Sequence, residues 1–354
     1  MINLFSLVVA FAVTILSILM LKPLALRVDL VDTPGGRKKH HGQIPLIGGI
    51  AMFIGLFFAM LTLQVSLSDY RSFIAATGLL MTTGLLDDFH ELSPRARFFL
   101  QILSALLMTA WGGVIVDHLG NLFFLGNIVL GNWGLPFTVI AIVGVINAVN
   151  MTDGVDGLAG SLALVELILL CYLAVHAKLI IDSHIILLVI SVLIAFLIFN
   201  FPIPKRPRAM IFMGAAGSMV LGFILVWFAV KLSQQAVDAA QPVTMLWILA
   251  IPLWDMWSVM IYRLSKLRSP FTPDRSHFHH LLLYRGFNVR QITLIISGLA
   301  FLIGFCGIFA ERIGINEGIR FILFILIFVI YMILIKKGWQ VQPSHVSKTA
   351  ENKE

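Results

Sequence analysis

Apolar runs follow one another through this chain, and most of them are long enough to cross a membrane. They lie near residues 2 to 21, 46 to 65, 71 to 86, 97 to 116, 135 to 150, 158 to 176, 184 to 200, 212 to 232, 243 to 263, 291 to 310 and 318 to 336. A hydrocarbon core about 30 Å thick takes about 20 helical residues to cross, and inside it the backbone finds no water to bond. Runs of this length, joined by short polar loops, therefore predict helices and exclude a barrel. With 59% hydrophobic and 12% charged residues, the composition excludes a soluble globular domain. The first run has no basic residues before it and no small-residue cleavage pattern after it, so it is expected to stay as a span. Cys171 and Cys306 both fall inside apolar runs, which leaves no disulfide framework and no cysteine metal site. The expected fold class is all-α: a polytopic integral membrane helix bundle of about eleven transmembrane helices.

An odd number of spans puts the termini on opposite sides. The loops 22 to 45, 87 to 97, 201 to 211 and 263 to 290, with the tail from 336, hold 20 of the 25 Lys and Arg residues. By the positive-inside rule these loops are cytoplasmic, so the N-terminus is expected outside and the C-terminus inside. The same rule accounts for the basic balance, net charge +7, without any nucleic-acid partner. Residues 117 to 134, broken repeatedly by Gly and Asn, read as an external β-hairpin or short loop. Residues 1–339 form one transmembrane catalytic domain, with cytoplasmic loops at 22–45, 87–97, 150–158, 201–212 and 263–290. The polar tail 340–354 is expected to be disordered.

Chemistry concentrates on the cytoplasmic side. GVINAVNMTDGVDGLAG (144 to 160) sets Asn150, Asp153 and Asp156 at the end of an apolar run among glycines that permit a tight turn and close backbone approach. An ionised Asp in lipid is expensive, so these carboxylates belong at a helix end, where a cation, a proton or a basic side chain relieves their repulsion. Asp87 and Asp88 stand side by side in LLDDFHELSPRARFFLQ, with Arg95 and Arg97 following as phosphate ligands. The loop VDTPGGRKKHHGQIPLIGG, with Lys38 in its basic run, suits an anionic partner. In SPFTPDRSHFHHLLLYRGF, Asp274, Arg275, His277, His279 and His280 crowd into seven residues. Zinc is disfavoured there, since His277 and His279 point apart on a helix and no Cys or Glu sits at ligand spacing; imidazoles beside Arg275 suit phosphate oxygens. Asp255, near the cytoplasmic end of a run, serves equally as a structural partner or a functional group.

These motifs, with IFMGAAGS, stand in an order and spacing that resemble the polyprenyl-phosphate N-acetylhexosamine-1-phosphate transferase family over nearly the whole chain. The resemblance implies transfer of GlcNAc-1-phosphate from UDP-GlcNAc to undecaprenyl phosphate, with UMP leaving, as the first membrane step of cell-surface glycan synthesis of the O-antigen type. It implies a multi-pass protein of the bacterial inner membrane with its site on the cytoplasmic face, a Mg²⁺ or Mn²⁺ requirement and a homodimer. Asp87 and Asp88 match the family's paired aspartates, and Asn150, Asp153 and Asp156 its NxxDGxDG signature for metal and nucleotide. His277, His279 and His280 match its HxHH loop, and Phe212 an aromatic that stacks on uracil. The expected catalytic groups are Asp87, Asp88, Asp156 and His279, with Asn150 and Asp88 on the metal. One position departs: the family's MGDAGS motif has a metal-binding Asp where this chain has Ala215, which predicts a disabled transferase. The HxHH loop lacks the longer His-rich form of the enzyme acting on UDP-MurNAc-pentapeptide, which favours the simple amino sugar. An ion-coupled transporter fits less well, since its polar groups would gather near mid-bilayer and not at one face.

Overall fold

The computed structural model describes residues 3–32, 42–234, 239–270 and 276–341. In chain order these are α1 (Leu4–Arg27), β1 (Val31–Asp32), β2 (Ile44–Pro45), α2 (Gly48–Leu61), α3 (Arg71–His90), α4 (Pro94–Leu106), α5 (Gly134–Thr152), α6 (Leu158–His176), α7 (Ile180–Asn200) and α8 (Gly214–Gln234). They continue with α9 (Pro242–Ile248), α10 (Ala250–Ser265), α11 (Phe278–Tyr284), α12 (Val289–Arg312) and α13 (Glu317–Val341). A wider helical turn, Leu107–Trp111, prolongs α4. Among the described residues seven helices, α1, α5, α6, α7, α8, α12 and α13, are long and apolar enough to cross a membrane; α9 and α10 together make an eighth if counted as one broken span. The protein is thus a mostly helical, multi-pass membrane protein, with one short two-stranded pairing, β1 with β2.

Helix ends follow local chemistry. Ser93 caps α4, its Oγ accepting the Ala96 N–H at 3.3 Å, with Pro94 in the first turn where no N–H is needed. Asn288 and Gln291 form a reciprocal capping box at the start of α12. The run expected as one span over 243 to 263 is instead two helices bent by 78° at Leu249. Pro252 is the physical reason: its ring nitrogen cannot donate to the Ile248 carbonyl, so a straight helix would leave that group unpaired and crowded.

The centre of the bundle is α8, nearly all of whose residues are buried. Small residues bring its neighbours onto it. A Cβ on Gly84 of α3 would lie 2.2 Å from Ala216 Cα, and one on Gly49 of α2 would lie 2.6 Å from Gly217 Cα. These backbone approaches are the membrane form of close packing, where small residues replace the hydrophobic drive between helices. The approach at Gly84 also carries Asp87 and Asp88, one turn further along α3, to the start of α8. At the far end of the same helices, Lys231 is 2.7 Å from Asp182, which also accepts the Tyr70 hydroxyl at 2.5 Å.

Candidate active site

The ends of α3, α5, α8 and α10 converge with α11 at one face of the bundle. Asp88 sits at the start of α8, its Oδ1 accepting the Ala215 N–H at 2.8 Å and its Oδ2 the Ala216 N–H at 3.4 Å. Those N–H groups are the unpaired donors of a helix N-terminus, which carries a partial positive charge and favours an anion. Gly214 makes the approach possible: it has φ 70°, and a Cβ there would fall 2.3 Å from Asp88 Oδ2. Neighbouring Asp87 points elsewhere, 3.3 Å from Arg97 and 2.9 Å from the Leu92 N–H. The α3 helix stops here because Glu91 takes the left-handed conformation, φ 47°.

Across from them, Asp153 terminates α5. Loss of hydration, with the negative charges of Asp88 and Asp156 added to it, raises its carboxyl to about 7. Asp153 is itself exposed, and the three acidic groups facing one cleft keep its shift upward. Asp156 Oδ2 accepts the Ala209 N–H at 2.8 Å, and its backbone carbonyl accepts Thr293 Oγ1 at 3.2 Å. Asn150 Nδ2 donates to Ser218 Oγ at 2.7 Å, linking α5 to the first turn of α8. The turn between α5 and α6 needs Gly157, at φ 76°, whose N–H is held by Asn200 Oδ1 at 2.9 Å; Asn200 Nδ2 in turn donates to the Ile211 carbonyl at 2.8 Å.

The histidine loop is built on Asp255. Its Oδ2 lies 2.8 Å from His277 Nδ1, and its Oδ1 accepts the Phe278 N–H at 2.8 Å and the Tyr331 hydroxyl at 3.3 Å. His277 is therefore buried and occupied by a carboxylate, while His279 goes to the site. His279 is 2% exposed and packs on Gly154, where a Cβ would fall 2.1 Å from its Nε2. That Nε2 is buried without a hydrogen-bond partner. Burial, with the neighbouring His280 and His277 outweighing Asp255, pushes the His279 imidazole down to about 3, so it serves as a neutral donor or acceptor and not as a cation. The His280 ring lies beside it at a tilt of 48°, ring centroids 4.2 Å apart, while the His277 ring, expected to point away, stacks on it at 5.7 Å.

The structure thus gathers Asp88, Asn150, Asp153, Asp156, Ala215 and His279 around one cleft, with Asp87 turned onto Arg97 and His277 onto Asp255 at its margin. Phe212 is half-buried at the entrance to α8, where its backbone pairs with Pro45 and Gly48. Arg97 is engaged with Asp87, and Arg95 is exposed on the first turn of α4. Lys38 and Arg275, together with Asp274, lie outside the described residues. Asn200 is not evident from the sequence, its only signal being a polar residue at the end of an apolar run, and Ser218 stands there only as the last residue of IFMGAAGS. Among the described residues no three His, Cys, Asp or Glu side chains stand close enough together to hold a metal ion. The donors present, with Asp88 turned onto α8 and Asn150 onto Ser218, do not fit a closed Mg²⁺ or Mn²⁺ site.

Known proteins resemble this chain over most of its length. The glycosyl transferase family 4 profile matches residues 70–233, which run from the start of α3 almost to the end of α8. A Pasteurella multocida protein named undecaprenyl-phosphate alpha-N-acetylglucosaminyl 1-phosphate transferase is 38% identical over 340 residues, 96% of this chain and 95% of its own length. Proteins of the same name from Yersinia pestis and Escherichia coli K12 are 37% and 36% identical, over 90% and 95% of this chain and 88% and 92% of theirs. The chain belongs to glycosyl transferase family 4. Within this family 4 chain, the profile takes in both aspartate motifs and Ala215, while Asp255 and the histidines come from the C-terminal third.

Proposed function

We propose that this chain carries the site for transfer of GlcNAc-1-phosphate from UDP-GlcNAc to undecaprenyl phosphate, with release of UMP, in the first membrane step of a cell-surface glycan. The observation that carries the reading is identity of 36–38% over nearly the full length to transferases of that name, together with the meeting of Asp88, Asp153, Asp156 and His279 at one cleft. Phosphoryl transfer between two oxyanions asks the protein to neutralise charge and to align the nucleophile. Asp87 takes the last proton from the lipid phosphate, whose second pKa of about 6 makes that step inexpensive near neutral pH. Arg97, beside Asp87, holds the incoming phosphate, and neutral His279 offers its unpartnered Nε2 to a diphosphate or sugar oxygen. Asp88 keeps α8 in place and sets the charge of the cleft.

Ala215 belongs to the same proposal. Its N–H adjoins Asp88, and it is the position at which a carboxylate would supply the oxygen donor the cleft lacks. We take Mg²⁺ or Mn²⁺ dependence, and full turnover, to require that carboxylate. A multi-pass arrangement of eleven helical rods, counting α2, α3, prolonged α4 and the broken α9–α10 pair as spans, agrees with an outer N-terminus, a cytoplasmic C-terminus and a site on the inner face of the bacterial cytoplasmic membrane. A homodimer is part of this reading. The test is to incubate membranes containing the chain, and its Ala215→Asp variant, with labelled UDP-GlcNAc, undecaprenyl phosphate and Mg²⁺ or Mn²⁺. Lipid-linked GlcNAc formed by the Asp variant, with little from the parent, is expected. No lipid product from either protein refutes the transferase reading, and equal turnover by both refutes the assignment of position 215.

A further inference from the structure

On the face opposite the active site, residues 117–134 form a short antiparallel turn whose exposed surface is mostly apolar, with Asp117 at its base and Asn127 and Asn132 the other exposed polar side chains. His118 bridges Val129, and the Leu119 N–H bonds the Ile128 carbonyl at 2.9 Å. Its stem is pinned to the first turn of α13: the Asn121 N–H donates to Glu317 Oε2 at 2.6 Å, and Phe123 packs edge-on against Phe321 at 5.8 Å. Two facts place that turn of α13 at the membrane boundary opposite the cleft. The other end of α13 is tied to the site face, where Trp339 Nε1 donates to the Ser276 carbonyl at 2.8 Å. Phe321 lies four residues inside the span that begins at Glu317, about 6 Å into it at 1.5 Å per residue.

No charged residue occurs between positions 119 and 134, and the tip is bare. Leu125 is 91% exposed and Val129 71%, while Trp111 and Trp133, on the flanking helical turns, are 58% and 74% exposed. Phe124 turns the chain at φ 61°, a conformation that an aromatic residue seldom adopts, and the Asn121 side chain fastens the tip by accepting the Gly126 N–H at 3.1 Å. Backbone strain of this kind persists where the surrounding structure imposes it and a function retains it. Beside the hairpin, Ile319, Ile322 and Leu323 on the first turns of α13 are themselves exposed, so its apolar face continues a surface that meets lipid.

We propose that the 117–134 hairpin is a membrane wedge: its tip, centred on Leu125, inserts into the adjacent lipid leaflet between the headgroups and the first acyl carbons. The two tryptophans lie at the headgroup level, where amphipathic rings prefer to be. The partner is the lipid surface itself, and Glu317 and Phe321 fix the depth of insertion by holding the stem to α13.

The test uses the full chain with Cys306→Ser, labelled at a single new cysteine with an environment-sensitive fluorophore and reconstituted into phosphatidylethanolamine and phosphatidylglycerol vesicles. Leu125→Cys and Val129→Cys report the hairpin. Ser66→Cys, on the exposed loop between α2 and α3 at the same face, reports water. We expect both hairpin labels to be quenched by lipids carrying a nitroxide high on the acyl chain, and to resist aqueous iodide severalfold better than the label at position 66. Iodide quenching equal to that at position 66 overturns the proposal. So does protection that disappears when the protein is diluted with excess lipid, which would assign the face to a second copy of the chain.

Discussion

Asp255→Ala removes the acceptor on which the histidine loop rests. Three donors lose it together: His277 Nδ1 and the Phe278 N–H, each at 2.8 Å, and the Tyr331 hydroxyl at 3.3 Å. A buried donor left unmatched costs about 1–3 kcal/mol. Tyr331 can re-aim its hydroxyl, so the two short bonds set the expected loss at about 2–6 kcal/mol, the range in which breaking a buried ion pair falls. Asp255→Asn keeps one oxygen for the Phe278 N–H and turns an amide toward His277, which can accept it by moving its own proton to Nε2; the expected cost is about 1–2 kcal/mol. The assay is thermal unfolding in detergent, with titration of UDP-GlcNAc into each folded variant. Melting should fall in the order parent, Asn, Ala, and donor affinity should fall with it because His279 follows His277 by two residues. An Ala variant that melts with the parent refutes the energetic reasoning. One that melts early yet binds donor normally confines Asp255 to a structural role.

Asp87→Asn keeps shape and the Leu92 contact but removes the proposed base, so turnover in the Ala215→Asp background should disappear while donor binding, measured by titration, survives. Asp153 should make stability depend on pH: its folded carboxyl titrates at about 7, above the unfolded value of 3.8, so its contribution is complete below about pH 4 and is lost as pH rises through 7. Asp153→Asn should flatten that part of the melting-temperature profile, and an unchanged profile between pH 4 and 8 would count against the crowded-carboxylate account. Glu166, 1% exposed on α6, has both carboxylate oxygens buried without a partner. Its replacement by Leu, which keeps about the same volume and removes both unpartnered oxygens, should raise stability by about 1–3 kcal/mol in thermal unfolding.

The sequence by itself determined where helices had to form, because a backbone in lipid must bond internally and a run of apolar residues leaves no other way to do so. The run from 158 to 176 is α6 to the residue, starting just after the glycine that its turn requires. The motifs that compose the cleft were equally legible, since carboxylates, asparagines and glycines at the ends of apolar runs have few uses other than chemistry or a turn. What each group does in the cleft was decided only by tertiary packing. Asp88 caps a helix 127 residues away because Gly84 lets α3 approach α8 at backbone distance. Histidines two apart in sequence divide their roles because the bend at Leu249 and the packing of α13 bring Asp255 and Tyr331 to His277 and leave His279 against Gly154. Periodicity reports which residues avoid water; it carries no record of which distant backbone comes close enough to claim a hydrogen bond, and that closeness set the site.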